Sequence, residues 1–181
     1  MKEFVIQSVK AITEQELGEL CDVLIDCVEG GASVSFMLPL ERHKAMEFWS
    51  GVASSVASGA RILLIAKDEE GCVGTVQVLL DQPENQPHRG DLAKMLVHRR
   101  ARGRGVGTEL LRHAEAAALQ AGKSLLVLDT ANPVAERLYE RGGWLACGTI
   151  PNYALMPDGP LCATHLYYKQ LAPLNGALAV K

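Results

Sequence analysis

One short segment of the chain combines glycines and arginines in a spacing that suits an anion. Residues 96–111 read LVHRRARGRGVGTELL, with glycine at 103, 105 and 107 and arginine at 99, 100, 102 and 104. Glycine lets a ligand approach the backbone closely, and N–H groups at the start of a helix bind phosphate oxygens. Arginine adds charge and paired donors. The segment predicts a binding turn for a phosphate or diphosphate.

The spacing excludes two common nucleotide-binding turns. A dinucleotide fingerprint would need glycine at Thr108, and a Walker A loop would need lysine followed by serine or threonine after its last glycine. Nucleic acid is another anion that an arginine cluster could bind. We rank that reading last, and expect no nucleic-acid partner, because the chain has a net charge of -3, 5% aromatic residues and no reader motif.

Length and composition are those of an ordinary globular chain. With 181 residues, of which 48% are hydrophobic and 22% charged, we expect one domain over 1–172 and a loose C-terminal tail over 173–181. The sequence has neither a signal-peptide pattern nor an apolar run long enough to span a membrane, which predicts a cytoplasmic protein without a membrane partner. Neither its cysteines nor its histidines have metal-ligand spacing, so no metal is expected.

The elements around the glycine turn alternate between strands and helices. A strand at 91–97 leads into the turn, and apolar residues at helical spacing follow it up to Gly122. The next segments are an apolar strand at 124–130 and a short helix within 132–144, which has proline near its first turn. This order predicts an α/β fold, in which the turn lies between a strand and a helix.

Two motifs in this region resemble one known superfamily. The segment RGRGVG, from Arg102 to Gly107, fits R-x-x-G-x-G, the acetyl-CoA pyrophosphate loop of the GCN5-related N-acetyltransferase (GNAT) superfamily. The segment NPVAERLYERGGW at 132–144 resembles the later block N-x-x-A-x-x-L-Y-x-x-x-G-F of that superfamily. One departure is Arg99, at a position where the superfamily usually has proline. We expect Arg99 to alter only the approach of the chain to the loop.

The resemblance implies the GNAT fold over nearly the whole chain. That fold is α/β (α+β), with a central mixed twisted sheet of about six to seven strands and about four flanking helices. A V-shaped splay is implied between the strands at 91–97 and 124–130. The segments GGASVSFM, PDG and ATHLYYK look closest to the tabtoxin-resistance acetyltransferases, which implies a small-molecule amine as acceptor.

The resemblance also implies the cofactor contacts. Acetyl-CoA would be the co-substrate, with its pantetheine arm on the backbone of the strand before the loop. Tyr139, carried over from the superfamily motif, would protonate the departing coenzyme A sulfur. The residues expected to contact acetyl-CoA are Met95, Leu96, Val97, Arg102, Gly103, Arg104, Gly105, Val106, Gly107, Thr108, Asn132, Ala135 and Tyr139.

Two aspartates are candidates for the base that prepares the amine. Asp91 begins the strand before the loop and, by the two-residue period, shares a side with Ala93, Met95 and Val97. Asp129 stands at the carboxyl end of the next strand, where open sheets bind ligands. Either could instead hold a cationic amine, and a close pair would titrate as a unit.

Two further segments, 29–39 and 151–159, are expected to line the acceptor side. The substrate-binding candidates are Ser33, Phe36, Asp91, Asp129 and Tyr153. We expect acetyl transfer to the primary amine of a small molecule that is amino-acid-like or an amine toxin or antibiotic. The alternative is a non-catalytic coenzyme A-binding sensor of the same fold. A homodimer is compatible with such a fold.

Each candidate catalytic residue also has a structural explanation. Asp129 could cap the helix that begins near Asn132, since aspartate often precedes a helix. Asp91 could be a solvated strand end, and Tyr139 could be core packing at helical spacing with Leu138 and Trp144. These explanations predict no role in chemistry.

Overall fold

The computed structural model describes residues 4–171 of the chain. The predicted tail at 173–181 lies outside the described residues. Seven strands and four helices follow one another as β1 (Val5–Val9), α1 (Glu14–Glu29), α2 (Arg42–Ala57), β2 (Arg61–Asp68), β3 (Gly71–Leu79), β4 (Arg89–Val97), α3 (Val106–Gln120), β5 (Leu125–Thr130), α4 (Pro133–Arg141), β6 (Leu145–Leu155) and β7 (Leu161–Gln170).

The seven strands form one open mixed sheet in the order β1-β2-β3-β4-β5-β7-β6. Every neighbouring pair is antiparallel except β4 and β5, which are parallel. One apolar cluster lies between the sheet and α1 and α2, where Trp49 and Leu24 are fully buried. A second cluster, with Leu110 and Leu126, lies under α3 and α4. This architecture confirms the fold predicted from the sequence.

The splay that the resemblance implies is present between β4 and β5. The two strands pair only at their beginnings, and the last pair joins Asp91 to Val127. We call this last pair the vertex of the splay. Beyond the vertex no residue of β5 pairs with β4, so the two strands diverge toward their carboxyl ends. The backbone edge of β4 that faces β5 is thereby unpaired along Met95–Val97 and open to a ligand. The Val97 carbonyl is the exception, since it accepts hydrogen bonds from side chains of the protein.

A β-bulge in β4 corrects one expectation about the splay. Ala93 lies opposite Gln77 of β3, but Leu96 lies opposite Thr75, so β4 gains one residue between these pairs. The extra residue breaks the two-residue alternation of side chains. Asp91 and Ala93 therefore face the side of α1 and α2. The expectation that they share a side with Met95 and Val97 is wrong, since the latter two pack against the α3 cluster.

Candidate functional site

The glycine turn forms a concavity lined by backbone N–H groups at the start of α3. Gly103 and Gly105 have φ of 76° and 83°, in the left-handed region that glycine adopts without strain. Gly105 is the N-cap of α3, and no side chain caps this helix end. The first N–H groups of α3 have no acceptor within the helix. A Cβ atom at Gly103 or Gly105 would meet nothing within 4 Å, so the concavity is open.

Gly107 has a different role in the same turn. A Cβ atom at this position would lie 3.2 Å from Cδ2 of Leu138 on α4, and 3.9 Å from Cγ2 of Val97. The absence of a side chain therefore lets α3 approach α4 closely. Val106 is buried beside it, whereas Thr108 is exposed at the rim of the turn. Of the predicted contact residues, Gly107 and Val106 thus shape the turn through packing.

Most arginines of this segment are neutralised by the protein itself. The carboxylate of Asp68, at the end of β2, accepts hydrogen bonds at 2.9 Å from both Arg100 and Arg104, and its side chain has no exposed area. Burial alone would raise the pKa of Asp68, but the two guanidinium groups outweigh it and lower that pKa to about 2. Arg104 therefore pairs with a carboxylate of the protein, and its contact with a diphosphate stays a prediction.

The Arg99 position explains how the chain does without the usual proline. The backbone N–H of Arg99 donates to Asp26 Oδ2 at 2.8 Å, and its Nε donates to Asp26 Oδ1 at 2.8 Å. Proline has no N–H and could not make the first bond. Burial opposes the charge of Asp26, but these bonds outweigh it and lower the pKa of Asp26. Arg99 thus ties the entry of the turn to α1.

Arg102 is the arginine of the turn that has no carboxylate partner among residues 4–171. Its Nε donates to the carbonyl oxygen of Val97 at 3.3 Å, and its side chain is exposed. Arg112, further along α3, pairs with Glu109 at 2.8 Å. An incoming anion would therefore meet backbone N–H groups and Arg102, since the other arginines of the cluster already pair with carboxylates. This arrangement does not favour nucleic-acid binding, which depends on several unpaired basic side chains.

Tyr139 lies at the α4 side of the splay. Its ring is buried in the same cluster as Leu128 of β5, with centroids 5.7 Å from Trp144 and 6.1 Å from Tyr167. Its hydroxyl forms no hydrogen bond with any residue that the structure describes. Burial raises the pKa of Tyr139, and the carboxylate of Asp129 raises it further. Tyr139 is therefore both core packing and a protonated donor without a partner.

The two candidate bases occupy different places along the splay. Asp129 lies two residues beyond Val127, on the open part of β5, and its Oδ2 accepts a hydrogen bond from the Thr164 hydroxyl at 2.8 Å. Asp91 lies at the vertex itself, with Oδ1 at 3.5 Å from the Arg89 guanidinium and shielded from solvent. Both face the side of α1 and α2.

The structure does not support the purely structural explanations for the two aspartates. Asn132, and not Asp129, caps α4, because its side-chain oxygen accepts from the Val134 N–H at 2.8 Å. Asp91 is a paired strand residue with a third of its side chain exposed, so it is more than a solvated strand end. Asn132 is engaged in its cap, and Ala135 packs against the core cluster. Their contacts with acetyl-CoA, which the resemblance implies, stay predictions.

The two segments expected at the acceptor side do lie together. The Ser33 hydroxyl donates to the Leu155 carbonyl at 3.0 Å, and the Leu38 N–H donates to the Pro157 carbonyl at 2.9 Å. Phe36 packs edge-on against Phe48 of α2, with centroids at 5.3 Å. Tyr153 is 54% exposed on β6. A loop after α1 and the β6–β7 hairpin thus form one wall.

Sequence reasoning missed three residues of this region: Asp26, Asp68 and Lys94. The carboxylates come from α1 and β2, far from the turn in sequence, so only the fold brings them to the arginines. Lys94 is the one charged residue within the segment LAKMLV at 92–97, and this charge was a signal that the sequence offered. Its Nζ donates to the Ser35 hydroxyl at 3.1 Å and lies 5.8 Å from the Phe48 ring centroid.

Two other kinds of site were sought in residues 4–171. No group of three or more histidine, cysteine, aspartate or glutamate side chains in this range is placed to hold a metal ion. No helix in the same range is long and apolar enough to cross a membrane.

Solved structures support the same architecture across the chain. The protein yncA from Salmonella typhimurium, solved with its cofactor acetyl-CoA, has a TM-score of 0.79 at 14% identity, over 98% of this chain and 99% of that chain. A ribosomal-protein-alanine N-acetyltransferase from Brucella melitensis has a TM-score of 0.78 at 21% identity, over 92% and 99%. A structure provisionally assigned as a phosphinothricin N-acetyltransferase has a TM-score of 0.76 at 20% identity, over 94% and 99%.

The family comparison covers the turn, the splay and α4 together. The acetyltransferase (GNAT) family matches residues 33–144, which is more than half of the chain. The matched range holds the loop after α1, the open edge of β4, the glycine turn and Tyr139. The chain therefore belongs to the acetyltransferase (GNAT) family.

Proposed function

We propose that this protein is an acetyl-CoA-dependent N-acetyltransferase that moves the acetyl group directly to the primary amine of a small molecule. The observation that carries the proposal is the splay between β4 and β5, bordered by Tyr139, a buried residue whose hydroxyl has no hydrogen-bond partner among the described residues. A non-catalytic coenzyme A sensor would need the glycine turn but would not need a proton donor at the Tyr139 hydroxyl.

The glycine turn fits a diphosphate. Its open N–H groups and the positive end of the α3 dipole would hold the phosphate oxygens, and the exposed Arg102 would add a charged donor. Met95 and Val97 would bind the pantetheine arm through the unpaired backbone edge of β4. Leu96 would act through its backbone alone, because its side chain is buried against α1 and α2.

When bound, acetyl-CoA supplies a thioester carbonyl that a neutral amine can attack. The amine nitrogen forms a bond to the carbonyl carbon, the carbon–sulfur bond breaks, and the sulfur needs a proton. Tyr139 would donate that proton from its hydroxyl, since a raised pKa keeps it protonated until the thiolate forms. A backbone donor on β4 would stabilise the charge on the carbonyl oxygen without reorganising.

Asp129 is better placed than Asp91 to take the proton from the amine. Its carboxylate lies beyond the vertex, where the strands have separated, and Thr164 holds one of its two oxygens. Asp91 faces Arg89 at the vertex, where β4 and β5 are still paired. We therefore assign the base role to Asp129 and the orientation of the acceptor to Asp91.

We infer a small acceptor, amino-acid-like or an amine toxin or antibiotic, and not a protein terminus. The resemblance of three segments to the tabtoxin-resistance acetyltransferases supports this class. Ser33, Phe36 and Tyr153 would line its site. On the composition of the chain, we also propose that residues 1–172 form one domain and that the protein is cytoplasmic. We further propose that it forms a homodimer.

The proposal is tested by measuring thiol release from acetyl-CoA across a panel of small amines, with thermal stability measured alongside. Stabilisation by coenzyme A together with amine-dependent thiol release would support the proposal. Stabilisation without turnover on any amine would favour the sensor. The absence of both responses would contradict a coenzyme A site altogether.

A further inference from the structure

Lys94 occupies the bulge of β4 in an unusual backbone conformation. Its φ is 51°, in the left-handed region that side chains other than glycine rarely adopt. Such strain persists where the surrounding structure enforces it, and it is frequent at ligand sites. A bulge also redirects the side chain it carries. Here the side chain of Lys94 reaches the acceptor wall, where it contacts Ser35 and Phe48.

The ammonium group of Lys94 has neutral neighbours. Its hydrogen-bond partner is the Ser35 hydroxyl at 3.1 Å, and its ring contact is Phe48 at 5.8 Å. No carboxylate of residues 4–171 lies within 4.0 Å of its Nζ. Burial lowers the pKa of Lys94, and the positive charge of Arg61 lowers it further, against an opposing effect of Asp129. A partly buried charge of this kind is costly unless an anion compensates it.

Arg61 makes this part of the acceptor side more positive. Its guanidinium donates to Oε1 of Gln77, a fully buried residue of β3, at 2.5 Å. Gln77 lies opposite Ala93, the residue before Lys94. The arginine is thus fixed by a neutral amide on the same face of the sheet, and its charge adds to that of Lys94.

The carboxylate of Asp129 lies across the splay from Lys94, on the open part of β5. Asp129 influences the pKa values of both Lys94 and Tyr139. The acceptor side thus has a positive region at Lys94 and a negative one at Asp129. A ligand that complements both carries an anionic group and an amine.

We propose that Lys94 determines acceptor specificity by binding the carboxylate, or a comparable anion, of a zwitterionic amine such as an amino acid. The inference rests on the proposed function, since it names the acceptor class of the same site. Ser35 already accepts a hydrogen bond from Lys94, so its own hydroxyl hydrogen is available to the same anion. The amine of the acceptor then lies toward Asp129.

The test compares each L-amino acid with its carboxamide, which keeps the amine and the side chain but removes the anion. In the parent enzyme, kcat/KM should be about tenfold or more higher for the acids, the usual size of a charge-assisted hydrogen bond. In Lys94→Met the preference should fall to within about twofold, mainly through KM of the acids, while turnover of the amides persists. Lys94→Arg should restore part of the preference.

Lys44→Met, at an exposed position on α2, is the matched control and should keep the preference. Because each ratio is measured within one variant, a general loss of stability cannot imitate the result. Equal turnover of acids and amides by the parent, or an unchanged preference in Lys94→Met, would overturn the role of Lys94 and leave the acetyltransferase standing. The absence of thiol release with every amine would overturn both.

Discussion

Tyr139 is the single residue on which the distinction between enzyme and binder depends. If its hydroxyl protonates the sulfur, Tyr139→Phe should lower kcat by about 10²- to 10⁴-fold and leave coenzyme A affinity nearly unchanged. Tyr167→Phe is the control, because it removes a hydroxyl from the same cluster, where that hydroxyl bonds Glu136 and Glu140. Steady-state kinetics check this, and kcat within about twofold of the parent in Tyr139→Phe would remove Tyr139 from the mechanism.

The pKa of Tyr139 makes a further prediction about pH. A pKa raised by burial and by Asp129 keeps the phenol protonated above its ordinary range. The kcat of the parent should therefore show no loss at alkaline pH, up to about pH 10, from ionisation of this group. A pH profile measured in parent and Tyr139→Phe checks this. An alkaline limb below pH 10 that disappears in Tyr139→Phe would contradict the shift.

The roles of Asp129 and Asp91 can be distinguished by replacing each with asparagine. Asp129→Asn should lower the rate most at low pH, where the free amine is scarcest and the base is most needed. Asp91→Asn should act mainly on KM of the acceptor, since its carboxylate lies at the vertex. Thr164→Val tests the orientation of Asp129, and a smaller loss is expected. The reverse pattern in kcat/KM profiles would assign the base to Asp91.

Among the helices and strands, the start of α3 is where we expect a single substitution to affect coenzyme A binding most. Gly105→Val should abolish the stabilisation by coenzyme A, which at a hundred times its dissociation constant is about 2.7 kcal/mol. The side chain would enter the open concavity. Gly122→Val is the matched control, because Gly122 has φ of 81° and equal open space at the other end of α3. Thermal shifts check both, and a full shift in Gly105→Val would place the ligand elsewhere.

The turn also depends on the carboxylate that anchors it to β2. Asp68→Asn should weaken coenzyme A binding and lower the free energy of unfolding by about 1 to 2 kcal/mol at neutral pH. A folded pKa of about 2, below the ordinary value of 3.8, means that this stability is present above pH 4 and is lost as pH falls toward 2. Glu69→Gln, exposed in the same hairpin, is the control. A stability difference that does not narrow in acid would contradict the ion pair.

Sequence patterns predicted the elements well because the relevant signals are local. The glycine turn and the helix after it are each encoded within a few residues. The bulge at Lys94 has no such signal, and it alone reverses which side Met95 faces. The partners of Arg99 and Arg104 come from elements far away in sequence, so their ion pairs could not be read in advance.

At the scale of the whole molecule, the parallel pairing of β4 with β5 creates the functional gap. On its other side β4 pairs with β3, and β5 pairs with β7, both antiparallel. The two halves of the sheet can therefore diverge beyond Asp91 while each strand keeps this second partner. Tyr139 borders the gap from the α4 side, and Asp129 and Lys94 lie toward the other, so in the proposed reaction acetyl-CoA and the acceptor would approach from opposite sides.

The most direct test of this account follows the acetyl group itself. The protein is incubated with acetyl-CoA labelled in the acetyl group and with the preferred amine from the panel, and mass spectrometry locates the label. We predict the label on the amine nitrogen, with transfer dependent on both substrates and the recovered protein unlabelled. Label retained on the protein, or on no amine at all, would contradict direct transfer across the splay.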